Sequence, residues 1–497
     1  MSGRDRGTGP KWLAILGPGA IVASLTIGAG ELVFSSRGGA LFGYPLLSLF
    51  VLICLIKWAL VLLTSRQMVL TGAHPFERWA RLPGPRGWLV WVFLLLAIPA
   101  FPVWVGFHAG TVGTLIAWAT DTRQSLSGAS HYAWGMLVLV VVMGLVRAGG
   151  YERLERIQMA IVAVMLLTVS VSLVLLHPDW GAMVRGIFSP GAIAYPTWRD
   201  KFPQLATRPL WVEVVSYVGV LGGSGYDYLA YVSFLRDKRW GSAGGPVLDD
   251  AAVNAIAADE RHPCREWLRA PLLDASVSFL VVFFFSAVFV ACGATVLRPL
   301  EQIPEGSDLL TLQARFLSAA GSWMQPMYFV GAFLAMLGTL YGTIEVAPTV
   351  AREMARALGW HGLKPRVLHR WVTTWVGFGG AMVLGASLAW TQQSASRNET
   401  PPGLIRLLDP ANLFTGVLAC GLICGLGCWA DARFLPPSLR APRMLVALNW
   451  LACALFVTLG VRAYWDYGGA SAFLVLAGTL TSGLLAARWN ERRRSHG

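Results

Sequence analysis

Charged side chains are scarce here: Asp, Glu, Lys and Arg make up 13% of 497 residues, against roughly 25% in a soluble chain. That scarcity excludes a water-covered globule. With 55% of the residues hydrophobic and a mean hydropathy of +0.56, the chain belongs in a bilayer. Cysteine is also sparse and odd in number, seven in all. Six of them, Cys54, Cys292, Cys420, Cys424, Cys428 and Cys453, lie in apolar runs, which excludes a disulfide framework. Catalytic signatures are missing too. There is no H-E-x-x-H, no P-loop lysine and no G-x-S-x-G with plausible partners, so the sequence does not read as a membrane enzyme. Short alternating segments of the kind that build a barrel are absent, whereas the apolar runs reach about 20 residues, the length of a spanning helix.

Acids are outnumbered by bases, 27 to 40, for a net charge of +13. The bases gather in alternate connections between apolar runs, as the positive-inside rule requires, so no nucleic-acid partner is implied. The partner is the lipid bilayer. Twelve spans are predicted: Trp12–Ser35, Phe42–Thr64, Trp88–Trp118, Ala133–Val146, Ile157–Leu176, Leu210–Leu235, Pro271–Val296, Met327–Ala347, Trp371–Trp390, Leu407–Trp429, Met444–Val461 and Ala470–Ala487. Both termini then lie in the cytoplasm, in a membrane expected to be the bacterial inner one. The basic segment before Trp12 lacks a clear cleavage site behind it and is expected to lead into a retained first helix. The connection His177–Pro209 should carry short surface structure outside, and Val247–Ile256 a short cytoplasmic helix.

Two of the apolar runs are broken. The first contains Gly28-Ala29-Gly30-Glu31, and the sixth contains Leu221-Gly222-Gly223-Ser224-Gly225-Tyr226-Asp227. Loosened backbone at membrane depth survives only against protein or a wet cavity. An ionisable group there is a functional-site hypothesis by default, and paired breaks in two halves point to the central site of a secondary transporter.

Several stretches carry a family resemblance. Leu16-Gly17-Pro18-Gly19-Ala20-Ile21-Val22-Ala23 is similar to a GPG-x-x-VA opening. Phe42-Gly43-Tyr44, Ser65-Arg66-Gln67-Met68-Val69-Leu70-Thr71-Gly72 and Tyr231-Val232-Ser233-Phe234-Leu235-Arg236 follow in the expected places. The chain resembles the Nramp (natural resistance-associated macrophage protein) family of proton-coupled divalent-metal transporters. The resemblance implies an all-α LeuT-type fold of two inverted five-helix repeats, residues 12–176 and 210–429. One or two extra C-terminal helices would follow, over 444–487, in a single transmembrane domain.

It also implies a metal site, held by the Asp and Asn of a DPGN motif and by a Met and a carbonyl of an A-x-x-M-P-H motif. In register, Gly28, Ala29, Gly30 and Glu31 replace the first motif, while Gly223, Tyr226, Asp227 and Tyr228 fall at the Ala, Met, Pro and His of the second. The ligands are therefore nearly all exchanged. Glu31 lies three residues from the lost acid, a spacing that keeps one helix face, and Asp227 brings a second acid from the opposing break.

Two carboxylates with freed carbonyls suit a hard cation such as Mg²⁺, Mn²⁺ or Ca²⁺, and loss of the thioether removes the preference for softer metals. The expected substrate-binding set is Gly28, Gly30, Glu31, Gly223, Tyr226 and Asp227, with Glu31 and Asp227 on the cation. The cation is cargo, and no cofactor is expected. His108 and Glu345 are candidates for a proton path, His108 because imidazole titrates near neutrality. Lys57 is expected to snorkel to the cytoplasmic interface, with pairing to an internal acid as the alternative. Asp409-Pro410-Ala411-Asn412 reads as a helix start. The Cys420, Cys424, Cys428 stripe, interleaved with glycines, reads as close helix packing. The competing reading of the whole is a transporter of an organic solute, such as an amino acid or amine, on the same scaffold.

Overall fold

The computed structural model describes residues 28–148, 171–318, 325–360, 362–397 and 403–495, with 160, 163, 164 and 167 between them. The first expected span is thus described only from Gly28, and most of the fifth lies outside the described residues. Elsewhere, helices stand where the apolar runs predict them. They are α1 (π-wound over Ala29–Ser35, continuing as Ser36–Phe42), α2 (Leu46–Thr71), α3 (Trp88–Ala119), α4 (Ser130–Ala148), α5 (Leu210–Val220) and α6 (Gly225–Lys238). Then come α7 (Arg269–Cys292), α8 (Gln325–Ala357), α9 (Pro365–Ser396), α10 (Leu404–Asn412, Leu413–Leu418, Ala419–Phe434) and α11 (Arg443–Ser495). Eight helices among the described residues are long and apolar enough to cross a membrane.

The expected eleventh and twelfth spans form one run, α11, which Gly469 interrupts with a left-handed backbone at φ 53°. Short helices cover the two long connections. Asp179 caps Trp180–Phe188, its side chain accepting from the Ala182 amide at 2.8 Å, and Asp249 caps Asp250–Ala258 through the Ala252 amide at 2.8 Å.

One expectation is overturned in α10. Asp409-Pro410 does not start a helix: the helix begins after Gly403, and Pro410 lies inside it. Pro410 has no N–H to donate back along the helix, and two residues later the winding loosens to a π-helix over Leu413–Leu418. Asp409 is drawn away from any capping role by an arginine, described below.

α3 packs against α4, α8, α9 and α11, and α2 packs against α6, α7, α10 and α11. All seven cysteines are free. The cysteine stripe of α10 faces close-packed neighbours, with Gly421 against Phe456 and Val457, and Gly425 against Cys453 of α11. One close crossing brings α10 onto α5, where a Cβ added to Gly416 would land on the Gly219 carbonyl. Small residues let membrane helices approach backbone to backbone, where dispersion replaces the hydrophobic effect as the source of attraction.

Gly416→Ala is therefore expected to lower stability by about 1–3 kcal/mol through overpacking. Gly385→Ala, with open space at its Cβ, should be neutral or slightly stabilising. Thermal unfolding of both variants in detergent checks the contrast.

Candidate functional site

The sixth apolar run is two half-helices. α5 ends at Val220 and α6 begins at Gly225, with Gly222 at φ +74° and Gly223 at φ +101° between them. Residues with a Cβ resist those angles, so the glycine pair is what lets the chain turn. A break of this kind frees carbonyls, and here each has a partner. Lys57 Nζ donates to the carbonyls of Gly219 at 3.1 Å, Leu221 at 2.7 Å and Gly223 at 2.7 Å. Tyr228 Oη donates to Gly222 at 2.5 Å, and the Gly223 amide takes Val220 at 3.3 Å. The carbonyls expected to be free for a cation are already engaged.

This also corrects the reading of Lys57, which is 0% exposed. α2 runs on to Thr71, beyond the expected Thr64, and is closed by left-handed Gly72. Lys57 therefore sits near mid-helix, with roughly 15–20 Å of helix to either end at about 1.5 Å per residue, too deep to snorkel. Three hydrogen bonds from a charged donor, at about 1.5–3 kcal/mol each, outweigh the insertion cost of about 2.5–3.5 kcal/mol for a mid-membrane lysine.

Beside the break is a small cavity of about 30 Å³, room for little more than a water or two. Gly30, Gly223, Tyr226 and Asp227 of the expected set line it, together with His108. Asp227 Oδ2 accepts from the Ser224 amide at 2.7 Å, the reciprocal half of a capping box that starts α6. That contact aims the carboxylate along the break. The Tyr226 hydroxyl donates to the Phe93 carbonyl at 2.6 Å, so the ring is what this residue offers the cavity. His108 is 3% exposed, with Nδ1 3.2 Å from Thr343 Oγ1 and Nε2 without a partner among the described residues. Trp104, Phe101 and Thr343 complete the wall around these groups.

Glu31 lies deeper. It is 0% exposed, lines no part of the cavity, and has no side-chain hydrogen-bond partner among the described residues. Its own amide and that of Gly222 donate toward the carboxyl, and Lys57 is near enough to act on it electrostatically. Lys57 in turn feels both Glu31 and Asp227, so it stands in the field of both acids. Gly28 packs on Thr339 of α8. Glu345 is not part of this assembly, since it pairs with His369 at 3.2 Å, partly exposed. Among the described residues, no three His, Cys, Asp or Glu side chains stand close enough to hold one ion.

A buried ion network at the far end of α5 went unpredicted. Arg37 of α1 reaches Glu213 at 2.6 Å and the Pro304 carbonyl at 3.0 Å. Arg208 reaches Glu213 at 2.5 Å and both oxygens of Asp409, at 2.5 and 2.8 Å. Tyr217 and Ser216 add hydroxyl contacts, and Asn412 donates to the Ser216 carbonyl. Two arginines and two acids at the ends of apolar runs were the legible signal. Arg208 and Glu213 are near in sequence, but nothing in the spacing brings Arg37 or Asp409 to them, 176 and 201 positions away.

At the other end, α6 is tied to the α2–α3 connection. His74 Nε2 meets the Leu229 carbonyl at 3.0 Å, while its Nδ1 accepts from the Phe76 amide at 3.3 Å. This arrangement fixes a neutral imidazole. Burial pushes the His74 pKa down to about 4, opposed by Glu353 and reinforced by Arg236 and Arg352.

The broken helix, the buried glycine-bearing α1 beside it and the cavity between them are the parts of a transporter of LeuT-type fold. A family model described as natural resistance-associated macrophage protein-like matches residues 19–465, and the chain belongs to the Nramp family. It is thus an integral membrane transporter rather than an enzyme. The divalent metal cation transporter MntH of Xanthomonas campestris is 23% identical over 459 residues, 92% of this chain and 91% of that one. MntH of Listeria innocua is 23% identical over 70% of this chain and 72% of its own. In fold, the chain is similar to the crystallised manganese transporter of Eremococcus coleocola, with a TM-score of 0.68 at 15% identity, covering 99% of this chain and 97% of that one.

Two outcomes are expected. Asp409→Ala strands Arg208 and should cost about 3–5 kcal/mol, while Arg208→Met/Asp409→Leu, which removes one charge of each sign, should recover most of it in thermal unfolding. For His74, a base whose folded pKa is lowered, stability is full above about 6.5 and falls as the pH drops toward about 4. The acid-side decline in unfolding temperature should therefore be shallower in His74→Gln than in wild type.

Proposed function

We propose that this chain carries a divalent cation across the membrane by alternating access around the break between α5 and α6, with Asp227 as the carboxylate that meets the cargo. The observation behind this reading is the placement of Asp227. It lines the cavity at the break, with one oxygen held by Ser224. The names of the relatives, MntH in several bacteria, supply the cargo class.

Hard cations fit the donors best. Asp227, Thr343 and water give oxygen, and His108 Nε2 adds one nitrogen, a combination suited to Mn²⁺, Mg²⁺ or Ca²⁺. Thiolate and thioether are absent from the lining, so nothing selects a soft ion. With so few side-chain donors the ion keeps part of its water, as Mg²⁺ does readily. Glu31 adds negative charge behind the cavity. Protons travel through the same groups, His108 through Nε2 and Glu31 through its carboxyl, whereas Glu345 is engaged with His369. The repeats are residues 12–176 and 210–429, with 444–487 added to them. The membrane is the bacterial inner one, and both termini are cytoplasmic.

Uptake into proteoliposomes tests this. Wild type should accumulate Mn²⁺, Mg²⁺ or Ca²⁺ with acidification of the lumen. Asp227→Asn should lose at least about tenfold, since even outer-sphere metal partners carry 10–100-fold. His108→Gln should lower uptake as well, and should weaken the pH change that accompanies each ion carried. Equal uptake by wild type and Asp227→Asn would refute the assignment of the acid.

A further inference from the structure

We infer that Lys57 is a tethered cation: its ammonium fills a cation site built from the carbonyls of Gly219, Leu221 and Gly223, with Glu31 as the nearby counter-charge. Three carbonyls converging within 3.1 Å of one positive centre, at 3.1, 2.7 and 2.7 Å, are what a backbone offers a bound alkali or ammonium ion. The buried Glu31 carboxyl, which has no side-chain hydrogen-bond partner among the described residues, lies within the field of Lys57. Lys57 lies on α2, outside both half-helices, so the cation is delivered by a neighbouring helix. Lys57 is an integral part of the protein, so it cannot leave with the cargo or be diluted away. The chain consequently needs no bound inorganic monovalent cation at this break, and its cargo is confined to the Asp227 side, because the carbonyl side is taken.

The alternative is that Lys57 is only a hydrogen-bond donor that happens to be charged. Removing the side chain separates the two, because a true cation site left vacant by truncation binds a free cation. The test contains no divalent ion, so a chain that failed to carry Mn²⁺ or Mg²⁺ would leave this inference untouched. Purified Lys57→Ala in nanodiscs is unfolded thermally against increasing n-propylammonium, sodium or potassium chloride, with choline chloride as the ionic-strength control.

Lys57→Ala should unfold several degrees below wild type and recover saturably with at least one of the three small cations but not with choline, since a ligand specific to the native state stabilises by mass action. Wild type should be flat in all four salts. Lys57→Ala/Glu31→Gln, which removes the ammonium together with the Glu31 charge beside it, should fold and ignore the cations. It carries the test if the single variant aggregates, in which case preparing the single variant in propylammonium should yield monodisperse protein. A destabilised Lys57→Ala that no small cation restores, or a double variant that responds like the single one, would overturn the inference.

Discussion

Everything at the centre of this molecule depends on one lysine meeting one break in a helix. A helix interrupted inside a membrane leaves carbonyls that water cannot reach, and each unsatisfied group is costly. The gap between α5 and α6 would close into a continuous helix or unfold unless something held those carbonyls. Lys57 holds three of them and Tyr228 another. The break in turn fixes where α6 starts, and the start of α6 aims Asp227 along the cavity. Remove the ammonium and the orientation of the acid loses its footing.

The two ends of the assembly are held by different chemistry. At one end, α1, α5 and α10 are joined by two guanidinium groups and the carboxylates of Glu213 and Asp409, with Glu305 3.8 Å from Arg37 at the edge. At the other, α6 rests on a neutral imidazole and on Glu353, which three arginines surround. The crossing of Gly219 and Gly416 lies between them. Gly219 therefore serves twice, as a point of backbone contact with α10 and as an acceptor for Lys57.

Much of this was legible in the residues. Hydropathy placed most helices to within a few positions, because a run of about 20 apolar residues has one outcome in lipid. Glycine followed by acid located the break and brought Gly30, Gly223, Tyr226, Asp227 and His108 to one cavity. Lys57 was misjudged for a local reason: ending α2 at Thr64 put the lysine near a boundary, and its partners are more than 160 positions away. Asp409-Pro410 misled in the same way, since a cap motif was read where a distant arginine had claimed the aspartate. Pairings across the two halves leave no trace in spacing, and those pairings define both the cradle at the break and the ion network.

The composition of that network has a bearing on how the molecule can move. A seal made of leucine and phenylalanine resists wetting in proportion to its area, and water gains nothing by entering. A seal made of Arg37, Glu213, Arg208 and Asp409 is different, because hydration compensates each ion for the partner it loses. Shut, the four ions satisfy one another in the dry interior; parted, they are the groups that solvent welcomes most. Such a plug is firm when dry yet carries its own reward for flooding, and a door between two aqueous compartments needs both properties.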